Sequence, residues 1–251
     1  MIHCEHRDGI EIVRLAHGRA SAMDVELLEA LRAQAARLSA AADVRAVVLT
    51  GTGSIFSAGA DLKRLAAGGR DYVERFVPVL EDAMLTVFAL EKPVVAAING
   101  HAIAGGAILA ACCDTKIMAE GSGRIGVPEL KVGVPFPPVI LELLRFALPL
   151  EQAGEMLLRG RLCEPHDALV RGLVDELAPP AELLDRALAA ARELAAPPAA
   201  AFADSKRLLR APTRERAERL SRERRAATIE LWSSEPVLAA VRRYVEQTLG
   251  R

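Results

Sequence analysis

The chain has 251 residues, 51% of them apolar and 26% charged, with a formal net charge of −1. A chain of this length buries roughly 70–75% of its unfolded surface without a metal or disulfide staple, and the composition excludes a disordered or collagen-like polymer. The balanced charge and the 4% aromatic content argue against a dedicated nucleic-acid binder, which carries a basic surplus or stacking platforms.

Residues 2–16 alternate and turn at Asp8-Gly9, which predicts a hairpin. From Asp24 to Leu38, leucines at 27, 28, 31 and 38 recur at helical spacing, and Ser21 or Asp24 can cap the start. Val44–Thr50 is a β-branched apolar run, a buried strand, followed by a glycine-rich loop over 51–63. Residues 71–90 predict a helix kinked near Pro78. Pro93–Ile98 predicts a second buried strand, Asn99-Gly100 a turn, and Gly105–Cys113 a helix. The stretch from Pro93 to Cys113 is the most apolar, but Asn99 and His101 would be costly in lipid, so it belongs in a folded core. Lys116–Ala119 and Arg124–Val127 predict short strands. Beyond Pro138 the pattern is almost entirely helical, with breaks expected near Pro149, Pro165, Pro179-Pro180, Pro197-Pro198, Pro212 and Pro236. Strands alternating with helices imply parallel βαβ units.

Cys4, Cys112, Cys113 and Cys163 form no C-x-x-C pair and are expected as reduced, mostly buried thiols. The early charges of MIHCEHRDGIEIVRL do not fit a signal peptide, and a cytoplasmic location is the expectation. His3, His6, His17 and His166 lack metal-ligand spacing, so no metal is expected.

Two glycine-bearing loops directly follow buried strands: Thr50–Lys63 and Asn99–Gly106. Glycine lets backbone approach a ligand closely, and loops at strand C-ends line ligand crevices. Two such loops can present two convergent N–H donors, the geometry of an oxyanion hole. Neither is a phosphate loop: Phe56 stands where a dinucleotide fingerprint needs its third glycine, and no G-x-x-x-x-G-K-[ST] occurs.

The blocks Ile55-Phe56-Ser57-Ala58-Gly59-Ala60-Asp61-Leu62, Pro93-Val94-Val95-Ala96-Ala97-Ile98-Asn99-Gly100-His101-Ala102-Ile103-Ala104-Gly105-Gly106 and Gly126-Val127-Pro128-Glu129 resemble the three signatures of the crotonase superfamily, the enoyl-CoA hydratase/isomerase family. Their order and spacing, with the helical tail, extend the resemblance over essentially the whole chain. It implies an α/β fold of the ClpP/crotonase type, a spiral of ββα units, with residues 1–195 as catalytic core and 196–251 as a helical trimerisation and lid segment. It implies backbone donors at Ala58 and Gly105 that hold a thioester oxygen as it becomes an enolate. It implies contact with coenzyme A around Ala60, Asp61 and Leu62, with Lys63 near the phosphates. Coenzyme A enters as part of the substrate and no separate cofactor is implied.

One departure bears on the reaction. Family hydratases carry two carboxylates; the later corresponds to Glu129, but Ile108 stands at the earlier position. Syn hydration needs both groups to manage one water. A single carboxylate suffices to remove a proton from C2 of a 3-enoyl thioester and return it at C4, so the resemblance points to a Δ3,Δ2-enoyl-CoA isomerase of fatty acid metabolism. Val127, Pro128, Leu130 and Val132 should raise the pKa of Glu129 by desolvation. The alternatives are a hydratase with an unorthodox second acid among Asp61, Asp71, Glu74, Glu81 and Asp82, or another thioester reaction such as hydrolysis or decarboxylation. All but the signature residue Asp61 are expected on a solvated helix face. Two further readings are weaker: a serine hydrolase using Ser57, His101 and Asp114, which lacks a G-x-S-x-G elbow, and RNA binding by the arginines of Thr213–Glu230, which also suit a solvated face with i,i+4 pairs. The tail's apolar surplus predicts a homo-oligomer, a trimer or a pair of trimers. No membrane contact is expected.

Overall fold

The computed structural model describes residues 1–249. Ile2–Arg7 (β1) and Ile10–Leu15 (β2) pair antiparallel, and Asp8 and Gly9 both take positive φ, as the predicted tight turn requires. Asp24 caps Val25–Ala40 (α1), its carboxylate accepting from the Leu27 amide at 2.8 Å.

From there the chain alternates between two sheets. Ala46–Thr50 (β3), Val94–Ile98 (β5) and Thr115–Ala119 (β7) lie parallel in a six-stranded sheet ordered β1-β2-β3-β5-β7-β10, in which β10 is Glu176–Ala178. Ile55–Ser57 (β4), His101–Ile103 (β6) and Ile125–Gly126 (β8) lie parallel in a four-stranded sheet ordered β4-β6-β8-β9, in which β9 is Leu162–Cys163. Each of β3, β5 and β7 is followed by a small-sheet strand and then a helix: Leu62–Phe88 (α2), Gly105–Ala111 (α3) and Glu129–Val132 (α4). This is a spiral of ββα units.

The central strands β3 and β5 of the large sheet are buried on both faces, which explains their continuous apolar runs. Val47, Leu49, Val94, Ala96 and Ile98 point into the main core, while Val48, Val95, Ala97 and Ile117 pack under Leu183–Leu194 (α8). α8 presents Leu183, Ala187, Leu188 and Ala191 to them, one stripe at helical spacing.

Several boundaries differ from the sequence reading. The expected loop 51–63 contains β4, and β6 follows the Asn99-Gly100 turn. The Asn99 side chain joins these segments: its oxygen accepts from the Gly51 amide at 2.8 Å and its amide donates to the Gly53 carbonyl at 2.9 Å. α2 begins at Leu62 rather than 71, capped by Asp61, and departs from helical dihedrals at Gly69, not at Pro78. Beyond Pro138 come Pro138–Ala147 (α5), Leu150–Leu158 (α6), Leu162–Cys163 (β9), Pro165–Val170 (α7) and Glu176–Ala178 (β10). The two short strands were hidden in an otherwise helical pattern, because each is only an edge addition to a sheet formed earlier. Ala199–Trp232 (α9) runs through Pro212 without the expected break. The carbonyl that the proline leaves without its helical donor belongs to Leu208, which is 58% exposed, so the lost bond falls on the solvent side of the helix. Glu235–Tyr244 (α10) and a π-turn over Val245–Leu249 complete the tail.

α9 packs on α5 and α2, and α10 packs on α2. Asp114 holds α9 in place with one oxygen 2.6 Å from Lys206 Nζ and the other 2.7 Å from the Arg210 guanidinium. Arg210 also donates to the Phe88 and Cys112 carbonyls and lies 4.4 Å from the Phe88 ring centroid. Cys112, Cys113 and Cys163 are buried thiols, and Cys4 is exposed.

Candidate active site

The two glycine loops meet backbone to backbone. Gly59 takes φ +81°, and a Cβ added to it would lie 2.8 Å from the Gly105 nitrogen. A Cβ on Gly106 would lie 2.2 Å from the Ser57 carbonyl oxygen, closer than any real contact. Only glycine permits this approach. A third segment braces the pair: the Met23 amide donates to the Gly59 carbonyl at 2.7 Å, and the Asp61 amide donates to the Met23 carbonyl at 2.9 Å.

This bracing corrects one expected donor. The Ala58 amide donates to the Ala20 carbonyl at 3.0 Å and is therefore occupied. The Gly59 amide is turned to the Ser57 hydroxyl at 3.2 Å. Among the described residues, the amides of Ala60 and Gly105 have no acceptor. They are neighbours: a Cβ on Gly105 would stand 3.7 Å from the Ala60 nitrogen. Gly105 opens α3, so its N–H is one of the orphan donors of a helix N-terminus. The preceding Ala104 takes φ +52°, a strained conformation for a residue with a side chain, which fixes how the Gly105 amide is presented.

A cavity of about 90 Å³ opens against these amides. Ala60, Gly105, Ile108 and Glu129 all line it. The rest of its wall is apolar, from Leu62 and Leu80 of α2, Val132, Val134, Phe136 and Ile140 near α4 and α5, and two residues of the tail, Trp232 and Tyr244. Among the described residues, Glu129 is the only carboxylate in the lining. It is half-buried, and its Oε2 is buried without a hydrogen-bond partner. Desolvation raises its pKa to about 7, against a weaker opposing effect of its own amide. The apolar surroundings are not all those expected: Val132 and Pro128 line the cavity, whereas Leu130 is 42% exposed.

The remaining candidates separate clearly. Ile108 is 3% exposed and lines the cavity, so an apolar side chain fills the earlier acid position. The Asp61 carboxylate accepts from the Arg64 amide at 3.0 Å as the α2 cap. Lys63 is exposed and makes no ion pair among the described residues. Glu74 pairs with Arg70 at 2.9 Å, and neither it, Asp71, Glu81 nor Asp82 lines the cavity. Glu81 is not on a solvated face, as its position implied; it is fully buried and accepts from Ser221 of α9 at 2.7 Å. The hydrolase set does not assemble. The Ser57 hydroxyl donates to the Ser21 carbonyl at 2.8 Å, and Asp114 is committed to Lys206 and Arg210. On α9, Arg216 holds Glu142, Arg225 reaches Glu81 and Asp82, and Arg214 and Arg219 pair with Glu218 and Glu223, so much of the basic face is neutralised.

Sequence reasoning missed the Ala20–Met23 brace and the cavity role of Trp232 and Tyr244. The sole tryptophan of the chain was visible as an apolar tail residue, but nothing local tied it to the site.

Comparison with known proteins agrees with this architecture. The profile described as enoyl-CoA hydratase/isomerase matches residues 5–249. A putative enoyl-CoA hydratase of Thermus thermophilus is 43% identical over 176 residues, covering 69% of this chain and 67% of the relative. The crystal structure of human mitochondrial Δ3-Δ2-enoyl-CoA isomerase superposes with a TM-score of 0.92 at 24% identity, covering 99% of this chain and 98% of that one. A probable enoyl-CoA hydratase of Mycobacterium tuberculosis superposes with a TM-score of 0.79 at 28% identity, covering 100% and 99%. A fold of interleaved ββα units carrying two glycine loops at one cavity is that of the crotonase superfamily. The chain belongs to its enoyl-CoA hydratase/isomerase family.

Proposed function

We propose that the protein is a Δ3,Δ2-enoyl-CoA isomerase. The observation that carries this reading is that, among the described residues, Glu129 is the only carboxylate lining the cavity, with Ile108 in the place of a second. The thioester oxygen of a 3-enoyl-CoA sits between the amides of Ala60 and Gly105. Glu129 takes a proton from C2; the C–H electrons move through the carbonyl carbon onto that oxygen, giving a dienolate. Each amide contributes about 2.7–4 kcal/mol to holding the developing charge. The oxygen then returns its electrons, the double bond settles between C2 and C3, and C4 takes the proton back from Glu129. Atoms and charge balance without a second acid, water or cofactor. A base with a pKa of about 7 suits both halves of this cycle, since it is readily ionised and readily protonated at neutral pH.

Coenzyme A enters past the first loop, where Ala60 and Leu62 meet the substrate and exposed Lys63 is available to a phosphate. Leu208 and Leu209, 58% and 67% exposed on α9, support a homo-oligomer built through the tail, a trimer or a pair of trimers. Light scattering tests this: a monomeric mass at micromolar concentration would refute it.

The test of the reaction offers purified protein a 3-enoyl-CoA and, separately, a 2-enoyl-CoA. Isomerisation of the first without hydration of the second is expected. Brisk hydration with no isomerisation would overturn the proposal. It would favour the activity that the Thermus relative's name carries, with Tyr244 as the remaining ionisable group in the lining.

A further inference from the structure

The cavity is closed partly by the chain's own tail. α9 ends at Trp232, where the Ser233 hydroxyl donates to the Ile229 carbonyl at 2.7 Å and finishes the helix. The Trp232 ring lines the cavity and is only 4% exposed. Its position is fixed from behind: the Phe76 ring lies 6.2 Å away between centroids, and Phe76 is itself fully buried and stacked at 5.8 Å on Tyr72. Such a ring does not swing aside at low cost, because close-packed interiors resist volume changes of even one methylene.

The space in front of it is small. An apolar cavity of about 150 Å³ accommodates the six carbons of benzene, or roughly 25 Å³ per carbon. By that ratio, the 90 Å³ here holds on the order of four carbons, the reacting ones included. Apart from Glu129, the Tyr244 hydroxyl and the Trp232 indole N–H, which is buried without a hydrogen-bond partner, the side chains around this space are apolar, so a charged acyl group would be desolvated without a counter-charge.

We infer that Trp232 sets the acyl-length limit and that the substrates carry short, uncharged acyl groups, on the order of four carbons. The inference rests on the isomerase reading for the identity of the reaction but not for the preference in length. Trp232 acts on specificity by occupying the space that carbons further along the chain would need; it takes no part in proton transfer.

The experiment compares wild type, Trp232→Ala and Trp232→Phe on trans-3-hexenoyl-CoA and trans-3-decenoyl-CoA, with melting curves to confirm folding. Wild type should favour the six-carbon substrate by at least about tenfold in kcat/KM. Trp232→Ala should invert that order, and Trp232→Phe, which keeps a ring against Phe76, should fall between. Equal turnover of both lengths by wild type would overturn the inference. So would equal loss on both lengths in both variants, which is what a purely structural residue gives. Binding of saturated butyryl-CoA and decanoyl-CoA by calorimetry separates the inference from the reaction. Should no 3-enoyl-CoA isomerise, tighter binding of the shorter thioester, reversed in Trp232→Ala, still supports the length limit. Equal binding overturns it.

Discussion

The carbonyl oxygen of Ser57 occupies the space in which a side chain on Gly106 would begin, 2.2 Å from an ideal Cβ. This contact sets the spacing between the first glycine loop and the start of α3, and so the spacing of the Ala60 and Gly105 amides. Gly106→Ala must push the loops apart. Overpacking of this kind costs about 1–3 kcal/mol of stability. Catalysis should suffer more, since misplacement by about 1 Å can cost on the order of a hundredfold. Chemical denaturation and kcat on a 3-enoyl-CoA measure the two effects. A variant with wild-type kcat would mean that loop spacing does not govern the site.

Glu129→Gln separates activity from stability. The variant should lose at least about a hundredfold in kcat while coenzyme A thioesters still bind. In wild type, kcat/KM should rise with pH and level off above about 7, because the base must be ionised in the free enzyme. The stability effect has the opposite sense. Desolvation raises the folded-state pKa from an ordinary 4.5 to about 7, so the folded protein binds more protons than the unfolded chain between those values. This contribution therefore weakens the fold progressively as pH rises through that window. Removing the charge as Gln should raise the Tm at pH 8 relative to wild type and leave it nearly unchanged at pH 4.5. Calorimetry at the two pH values decides; a lower Tm at pH 8 would contradict the desolvation account.

Much of this site was legible in the sequence, for a definable reason. Gly59, Gly105, Gly106 and Glu129 lie within short local patterns whose chemistry depends on residue type and order. The errors have the opposite origin. Which amide of the first loop is free depends on the Ala20 carbonyl, which takes the Ala58 N–H from a segment far upstream. The break in α2 falls at Gly69 because a glycine adopts positive φ at little cost, whereas Pro78 finds its place inside a helix. α9 survives Pro212 because its anchors, Lys206 and Arg210, bind Asp114 of the core. Strength of tertiary anchoring cannot be read from a window around a proline.

Ile108 is the residue on which the choice between isomerisation and hydration turns. It is 3% exposed in the wall shared with Glu129. Ile108→Glu should introduce the missing acid and give measurable hydration of 2-enoyl-CoA, absent in wild type. It should also move the rise in the pH profile for isomerisation above 7, because a second carboxylate in one apolar cavity disfavours ionisation of the first. Hydration is followed by loss of the conjugated thioester absorbance. An Ile108→Gln control with equal hydration would show that polarity, not an acid, was lacking.

The contact between Glu81 and Arg225 ties the tail to α2 and should make its stability pH-dependent. Glu81 is fully buried, and desolvation is the main cause of its raised pKa, opposed by the Ser221 hydroxyl and by Arg225, 3.4 Å away. The folded protein thus holds this proton at pH values where the unfolded chain has released it, and stability falls as pH rises from the ordinary carboxylate range through the raised value. Arg225→Ala removes the cation that offsets the ionised form. At pH 8 it should cost about 2 kcal/mol, less than a fully buried pair because the Arg225 side chain is 39% exposed. As pH falls through the raised value the cost should shrink, since a protonated Glu81 needs no counter-charge and still bonds Ser221. Glu81→Gln should remove most of the pH dependence and make Arg225→Ala nearly neutral in the double variant. Urea unfolding of the four proteins at pH 8 and at a pH below the raised value completes the cycle. Equal costs of Arg225→Ala in the wild-type and Glu81→Gln backgrounds would show that the two side chains do not interact.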